Sequence, residues 1–342
     1  MTPHGSILTA GGGVIDRFDR LARLDYACNP YGPCPAAVEA AARFVESPIH
    51  DLAPSLRRRL SETYRVPFEA IHLLSSADSA LGNVLNCHTR PIVGFPPSAT
   101  AMTISENSSL LETVWMARGP ARDGFIGPES AADLPRDGIA VLDSPSDPLG
   151  SILSPADAVR LSRACRYVVI DERFAEYSEF TTLPLTNELD NVVVLRSFEA
   201  WAGLQHSSCA WAVASPRLAA DLHLEVNVLE PEAIAAAIAT LDNRASVGAT
   251  LKLIREERSR LYRLLRKLAF LEPLPSWAPF LAARAQIVPR EAVVDGLLIR
   301  GVRIHAPREP GLEQFVRIGI GTRTAMERLR HALLDLAPEL VA

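Results

Sequence analysis

The chain has 342 residues, of which 48% are hydrophobic, which is enough for one large or two medium domains with sizeable cores. Its formal net charge of -5 at pH 7 gives no basic footprint for nucleic acid. No apolar run approaches the roughly 18 residues that a membrane span needs, and the N-terminus does not resemble a signal peptide, so we expect a cytoplasmic protein without a membrane partner.

Short apolar runs alternate with helical patterns in the first two thirds of the chain. After a strand-to-loop passage ending at Pro35, a helix is predicted to Phe44, and a further helix is predicted over 155–164. Buried strands are predicted at 91–95, 138–143 and 167–170, and over the apolar run that begins at Val192. This alternation predicts an α/β protein with a mostly parallel sheet.

From Pro216 onward the pattern becomes mainly helical. Helices are predicted at 219–229 and 231–241, followed by a long amphipathic helix to about residue 270. A strand near 280–285, a helix near 291–300 and a strand within 314–322 complete the chain. We therefore expect an N-terminal segment (1–50) that packs with a small C-terminal domain (243–342), and a large domain (51–242) between them.

The apolar run from Val192 stops at a polar turn, R-S-F-E-A-W-A-G-L over residues 196–204. This turn resembles the cofactor-lysine segment of the fold type I pyridoxal-phosphate enzymes, most closely histidinol-phosphate aminotransferase and threonine-phosphate decarboxylase, which reads roughly R-[ST]-F-[SG]-K-x-[FW]-G-L. Ala200 stands at the lysine position, and the chain's only lysines are Lys252 and Lys267. The resemblance covers nearly the whole chain. It implies a fold type I aminotransferase-like large domain with a seven-stranded, mostly parallel sheet, a small α+β C-terminal domain, and a homodimer.

Several cofactor positions of that family are kept. The D-E-R-F run resembles the family's D-E-A-Y, in which the carboxylate corresponding to Asp171 pairs with the cofactor's ring nitrogen. Ser76, Ala77 and Asp78 match a turn whose backbone amides hold the cofactor phosphate. Ser197 keeps its place before the lysine position. Two structural alternatives stay open: Ser76 or Asp78 as an ordinary helix N-cap, and Asp171 held by backbone amides.

The resemblance also implies substrate-binding residues. Arg317 lies in R-I-G-I-G, like the family's R-[IV]-[ST]-[VI]-G strand, whose arginine grips the substrate carboxylate. Asn29 and Tyr31 lie in N-P-Y-G-P, which resembles the family's N-terminal N-P-x-G-P segment. The structural alternative for Arg317 is a pair with an acidic side chain of the protein.

Four further family positions differ. The tyrosine that reaches the partner subunit is absent around 47–50, Ser98 stands where an aromatic ring stacks on the pyridine, Asp147 replaces the asparagine at the pyridine hydroxyl, and Ser208 replaces a phosphate-binding arginine. An inactivated laboratory variant would have left these positions alone. The joint change, together with Ala200, therefore indicates natural divergence.

Two functions remain, because alanine can neither anchor the cofactor nor move protons. The first, our working hypothesis, is a repurposed cleft in a specialised biosynthetic pathway that binds a carboxylate- or phosphate-bearing molecule. Its candidate acid, base or nucleophile groups are Glu199, His206, Cys209 and His50. The second is a non-catalytic partner of a lysine-bearing homologue. Covalent pyridoxal phosphate is not expected, whereas non-covalent binding, with residual transaminase or decarboxylase activity, stays open.

A metal site is not expected. Cys28, Cys34, Cys87, His88 and His72 fall in the first quarter of the chain but show no metal-ligand spacing. The odd number of cysteines, irregularly placed in a large chain, also argues against a disulfide framework.

Overall fold

The computed structural model describes residues 21–44, 52–86, 89–107, 112–116, 133–178, 180–205, 207–224 and 229–341. His50, with its neighbours at 47–49, and His206 lie outside the described residues, as do Cys87 and His88. No helix of the described ranges is long and apolar enough to cross a bilayer.

The described strands are β1 Ala22–Leu24, β2 Ile71–Leu74, β3 Ile92–Gly94, β4 Thr113–Trp115, β5 Ile139–Asp143, β6 Tyr167–Asp171, β7 Val192–Ser197, β8 Ala210–Val213, β9 Leu271–Pro273, β10 Phe280–Ala285, β11 Val302–Ile304 and β12 Phe315–Gly319. The described helices are α1 Pro35–Phe44, α2 Leu52–Tyr64, α3 Ala77–Asn86, α4 Ala99–Asn107, α5 Pro155–Ala164, α6 Glu199–Ala202, α7 Pro216–Asp221, α8 Pro231–Asp242, α9 Arg244–Leu265, α10 Arg290–Ile299 and α11 Arg323–Val341.

A seven-stranded sheet forms the centre of the molecule, in the order β2-β8-β7-β6-β5-β3-β4. Every pair from β7 to β4 is parallel, whereas β8 is antiparallel to both of its neighbours. All residues of β5, β6 and β7 are buried. Strands covered on both faces become continuous apolar runs, which is why these three were recognisable in the sequence. The predicted α/β class with a mostly parallel sheet is confirmed.

The ends of these buried strands are polar. Asp143, Asp171 and Ser197 are the last residues of β5, β6 and β7. Because the carboxyl ends of parallel strands meet at one edge of a sheet, these side chains share one edge, which is where ligands bind in open α/β sheets. We call it the carboxyl edge.

Two smaller sheets lie outside the large one. Strand β1 pairs in parallel with β11, so the N-terminal segment joins the C-terminal part of the chain. Strand β10 lies between β9 and β12 and is antiparallel to both. Arg317 belongs to β12, and its side chain reaches Asp147, which follows β5. The C-terminal sheet thereby contributes to the carboxyl edge.

Two predicted helix boundaries were wrong. The helix predicted at 219–229 is α7, Pro216–Asp221. It starts earlier because Ser215 caps it by accepting a hydrogen bond from Leu218 N and Pro216 occupies the first turn. The long helix α9 ends at Leu265, five residues early, because buried Phe270 already leads into β9.

Candidate functional site

The turn after β7 forms the centre of the candidate site. Ser197 Oγ accepts a hydrogen bond from Glu199 N at 3.0 Å, which starts the short helix α6. Gly203 ends the helix with φ +73°, and a Cβ there would lie 2.3 Å from the carbonyl carbon of Gly32. Only glycine allows both this backbone conformation and the close approach of the N-terminal segment.

Ala200 lies in α6 and is 7% exposed. Its carbonyl oxygen accepts hydrogen bonds from the backbone N–H of Asn29 and from the Tyr177 hydroxyl, both at 2.8 Å. The position at which the resemblance expects a lysine is thus a buried methyl group on a backbone fixed from two sides.

Asn29 is buried and fastens the N-terminal segment to this turn. Its Nδ2 donates to the carbonyl oxygens of Gly32 and Trp201, and its Oδ1 accepts from Tyr31 N at 2.9 Å. The amide group is therefore engaged by backbone, whereas the Tyr31 side chain is 46% exposed.

Asp171 is 2% exposed at the end of β6, and Arg173 supplies its hydrogen bonds. Arg173 donates from its backbone N to Asp171 Oδ1 at 3.0 Å and from Nε to Oδ2 at 2.8 Å, and its Nη2 lies 2.6 Å from the same Oδ2. The same guanidinium reaches Asp78, with Nη2 2.6 Å from Oδ1. Arg173 thus bridges two carboxylates that come from separate parts of the sheet edge.

This bridge sets the protonation of its neighbours. Burial raises the pKa of the Asp171 carboxyl, and Arg173 opposes that rise. Burial also acts to raise the pKa of Asp78, but the charge of Arg173 outweighs it and lowers that pKa. The pKa of Glu199 is raised, first by burial and then by the charges of Asp78 and Asp171. The Glu199 and Asp171 carboxyls therefore both protonate more readily than free carboxyls, whereas Asp78 holds its charge.

Arg317 is also paired within the chain. Its Nη1 donates to Asp147 Oδ2 at 2.6 Å and its Nη2 to the Asp25 carbonyl oxygen at 2.7 Å, while the guanidinium carbon lies 5.2 Å from the Phe280 ring centre. Its Nε is buried and has no hydrogen-bond partner among the described residues. The acid that neutralises Arg317 is therefore Asp147, the residue that stands where the family has asparagine.

Ser76 and Ser98 act as helix caps. Ser76 Oγ accepts from Ser79 N at the start of α3, and Ser98 Oγ accepts from Ala101 N at the start of α4, both at 3.0 Å. Ala77 is buried as the first residue of α3. The N-cap alternative foreseen for Ser76 thus describes its observed contact, and Ser98 has no aromatic ring to offer a ligand.

Cys209 lies just before β8 and is fully buried. Burial raises the pKa of its thiol to about 12, so it is a neutral apolar side chain at physiological pH. Over the described ranges, no group of three or more histidine, cysteine or acidic side chains is arranged to hold a metal ion.

Comparison with known proteins adds an independent observation. A sequence model of the family "aminotransferase class I and II" matches residues 127–333, more than half of the chain. The chain belongs to the class I and II aminotransferase family. The predicted family is thereby confirmed.

Relatives of this aminotransferase-family chain match it nearly end to end. It is 29% identical to histidinol-phosphate aminotransferase of Roseiflexus castenholzii, over 93% of this chain and 90% of that protein. The crystal structure of histidinol-phosphate aminotransferase from Sinorhizobium meliloti in complex with pyridoxal-5'-phosphate superposes with a TM-score of 0.81 and 20% identity, covering 98% of this chain and 96% of that one. L-threonine-O-3-phosphate decarboxylase from Porphyromonas gingivalis gives a TM-score of 0.74 at 17% identity, covering 92% and 98%. The structural neighbours confirm the fold type I aminotransferase-like architecture.

Arg173, the side chain that bridges Asp171 and Asp78 in this family member, was not predicted from the sequence. The available indication was D-E-R-F beside the family's D-E-A-Y, where an arginine replaces alanine two residues after the acid. Phe174 stands in the tyrosine position of the same motif and has no hydroxyl. The ion pair between Arg317 and Asp147 could also have been inferred from the family motifs. Both positions had been singled out as lying in the ligand site, and their side chains carry opposite charges.

Proposed function

We propose that this protein is a non-catalytic member of the aminotransferase family that holds no Schiff-base pyridoxal phosphate and associates with a lysine-bearing homologue. The observation that carries the proposal is the pairing of both site arginines with carboxylates of their own chain. Arg173 is held by Asp171 and Asp78, and Arg317 by Asp147. Of the two functions that the sequence left open, this geometry favours the partner subunit.

The residues at the carboxyl edge do not fit pyridoxal phosphate. Ala200 has no amine, Phe174 has no hydroxyl, and the Asp171 carboxylate that would face a ring nitrogen already receives three contacts from Arg173. A ring could pair with Asp171 only by displacing a guanidinium from a buried carboxylate, and breaking such a pair costs several kcal/mol.

An amino-acid carboxylate meets the same obstacle. The Asp147 carboxylate already occupies Nη1 of Arg317, and a backbone carbonyl occupies Nη2. A free carboxylate would have to compete with an acid that is tethered to the chain and therefore present at a high effective concentration. Anionic ligands are thus disfavoured at the position where the family binds them.

Association through the N-terminal segment is supported by its exposed aromatic side chains. Tyr26 is 53% exposed and Tyr31 46% exposed, on a segment that Asn29 ties to α6. Tyrosine is enriched in protein interfaces because one ring contributes a large, rigid contact area. A lysine-bearing homologue of the same fold is the partner that we propose, with a homodimer as the alternative.

A second candidate function is lysine-independent acid–base chemistry. It is favoured by Glu199, whose raised pKa suits a proton donor, and by the unpartnered Nε of Arg317, which could hold a neutral acceptor. A ligand of this kind would be uncharged or cationic, because Asp78, Asp171 and Glu199 surround the single guanidinium of Arg173.

Native mass spectrometry tests the proposal. The protein is measured alone, with added pyridoxal phosphate, and after co-expression with a lysine-bearing homologue of the same organism. We expect no retained cofactor mass and a heterodimer in the co-expressed sample. Histidinol-phosphate aminotransferase from Sinorhizobium meliloti, treated identically, controls for cofactor loss during handling. Stoichiometric pyridoxal phosphate on this chain after borohydride reduction, or failure to pair with any homologue, would overturn the proposal.

A further inference from the structure

A large cavity lies at the opposite edge of the seven-stranded sheet from the candidate site. Its volume is about 1040 Å³, comparable with pockets that take small-molecule ligands. Arg136 precedes β5, Arg166 and Tyr167 mark the start of β6, and Asn191 precedes β7. The cavity therefore faces the amino ends of the parallel strands and shares no residue with the carboxyl edge.

The lining of this cavity is strongly basic in an acidic chain. It contains five arginines and two aspartates: Arg136, Arg160, Arg163, Arg166, Arg217, Asp190 and Asp221. The arginines come from the segment before β5, from α5 and the turn after it, and from α7. Guanidinium groups from separate segments thus converge on one concave surface. This surface is basic although the whole chain has a formal net charge of -5.

Arg160 is paired with the buried Asp157 carboxylate, whereas three of the other cavity arginines pair with no acid of the described residues. Arg136, Arg163 and Arg217 are exposed, and none of them pairs with a carboxylate of the described residues. Asp221, in contrast, accepts a hydrogen bond from the Tyr167 hydroxyl at 2.9 Å. At least three guanidinium groups therefore remain available to a ligand.

The arginines are also not needed to cap α5. Asn191 Nδ2 lies within hydrogen-bond distance of the carbonyl oxygens of Ser162, Cys165 and Arg166, at 2.8, 3.3 and 3.2 Å. Basic side chains near a helix C-terminus often hydrogen-bond its free carbonyl groups, but here the amide of Asn191 takes that place. Arg160 has a structural role through Asp157 and Arg166 lies over the Tyr167 ring, so the charge without a structural partner among the described residues is that of Arg136, Arg163 and Arg217.

We infer that this cavity binds a small ligand that carries two or more adjacent phosphate groups. Each guanidinium offers a planar fork of N–H donors that matches phosphate oxygens, and several forks on one concave surface suit neighbouring phosphates better than a single carboxylate. A nucleoside polyphosphate and inorganic polyphosphate share this chemistry. The inference does not depend on the state of the carboxyl edge.

Isothermal titration calorimetry tests the inference with inorganic triphosphate, ATP and AMP as probes, at about 0.15 M salt so that loose surface attraction is screened. We expect triphosphate or ATP to bind more tightly than AMP. Preference for ATP over triphosphate assigns a nucleotide, and the reverse preference assigns inorganic polyphosphate. Absence of binding by both triphosphate and ATP would overturn the inference.

A matched pair of double variants separates the cavity from general charge attraction. Arg163→Gln with Arg217→Gln removes two exposed cavity arginines and should weaken binding by roughly tenfold or more. Arg263→Gln with Arg323→Gln removes the same formal charge from a second basic surface, on α9 and α11, where Arg323 pairs with Glu327, and should leave the affinity unchanged. An equal loss in both double variants would mean attraction to the whole surface and would also overturn the inference. Circular dichroism and thermal midpoints of all variants show that each is folded.

Discussion

Arg173 determines which charges the carboxyl edge offers to a ligand. It neutralises Asp171 and Asp78, and it lies among groups that would otherwise form an acidic cluster with Glu199. Its three contacts to Asp171 include one from its own backbone, so the arrangement is fixed by local chain geometry as well as by charge. We therefore expect that replacing Ala200 alone does not recreate a cofactor site.

The first prediction distinguishes the effect of Ala200 on cofactor retention from the effect of Arg173. Ala200→Lys alone should retain no more pyridoxal phosphate than the wild type, because Arg173 still holds Asp171. Ala200→Lys combined with Arg173→Ala frees that carboxylate and should raise cofactor retention by roughly tenfold. Bound mass after borohydride reduction is the measurement. Equal retention by the single and double variants would show that Arg173 does not block the site.

The sequence predicted where the site residues lie better than what they touch. Asp171, Ser197 and the turn at Ser76 were singled out because their motifs resemble the family's cofactor positions, and the structure places Asp171 and Ser197 at the ends of neighbouring strands. Their partners were not predictable by pattern, since Arg173 meets Asp78 across 95 positions and Arg317 meets Asp147 across 170. Such pairs depend on tertiary approach, which local periodicity does not encode.

Strand β7 depends on a buried ionic network at its C-terminal end. Arg196 is 4% exposed, and its guanidinium lies 2.9 Å from Glu172 Oε2 and 2.6 Å from Glu176 Oε1. It also donates to Thr181 Oγ1 at 2.8 Å and lies over the Tyr64 ring. The second carboxylate oxygen of Glu176 is buried without a hydrogen-bond partner in the described chain, so this network has no spare donor.

The second prediction follows from this network. Arg196→Met keeps most of the side-chain volume but leaves two buried carboxylates without their cation, and should lower the free energy of unfolding by about 3–5 kcal/mol. Urea titration followed by circular dichroism measures the change. Arg263→Gln on the exposed face of α9 is the control and should stay within about 0.5 kcal/mol of wild type. A loss for Arg196→Met as small as the control's would rule out a structural role for the network.

Element boundaries were predictable where the capping chemistry is local. Helix α5 was predicted at its observed bounds, and in the structure Ser154 accepts a hydrogen bond from Asp157 N while Pro155 sits in the first turn. Helix α7 carries the same arrangement at Ser215 and Pro216, which sets its start earlier than the predicted Ala219. The hydrophobic pattern of the sequence also did not predict that β8 runs antiparallel to its neighbours. Strand β8 is antiparallel because α6 keeps the chain at the carboxyl edge after β7, so the next strand must start there.

The stability of the whole molecule should depend on pH through His305. Partial burial and the nearby charge of Arg317 lower the pKa of its imidazole to about 4, with further repulsion from Arg308 and Arg290 and an opposing effect of Asp25. The unfolded chain has a histidine pKa of about 6.5. Between these values the unfolded state binds more protons than the folded state, so stability falls as the pH falls from about 6.5 to about 4.

The third prediction isolates the contribution of His305 to the pH dependence of stability. His305→Gln removes the titrating group, so its urea midpoint should decline less between pH 7 and pH 5 than that of the wild type. His331→Gln, on the exposed face of α11, should keep the wild-type decline. The same decline in His305→Gln as in wild type would show that other groups govern the acid sensitivity.

The pairing of β1 with β11 has a consequence for synthesis of the chain. Ala22 N donates to the Gly301 carbonyl oxygen at 2.8 Å, and Gly203 lies so near Gly32 of the N-terminal segment that a Cβ there would be 2.3 Å from the Gly32 carbonyl carbon. A ribosome releases the N-terminal segment first, yet its strand partner emerges almost last. The segment must therefore remain unpaired while the large sheet is translated, and Asn29 can lock it onto α6 before β11 closes over β1. A protein truncated before residue 302 would keep the seven strands of the large sheet but leave an open strand edge at its start, a surface for chaperones and for aggregation.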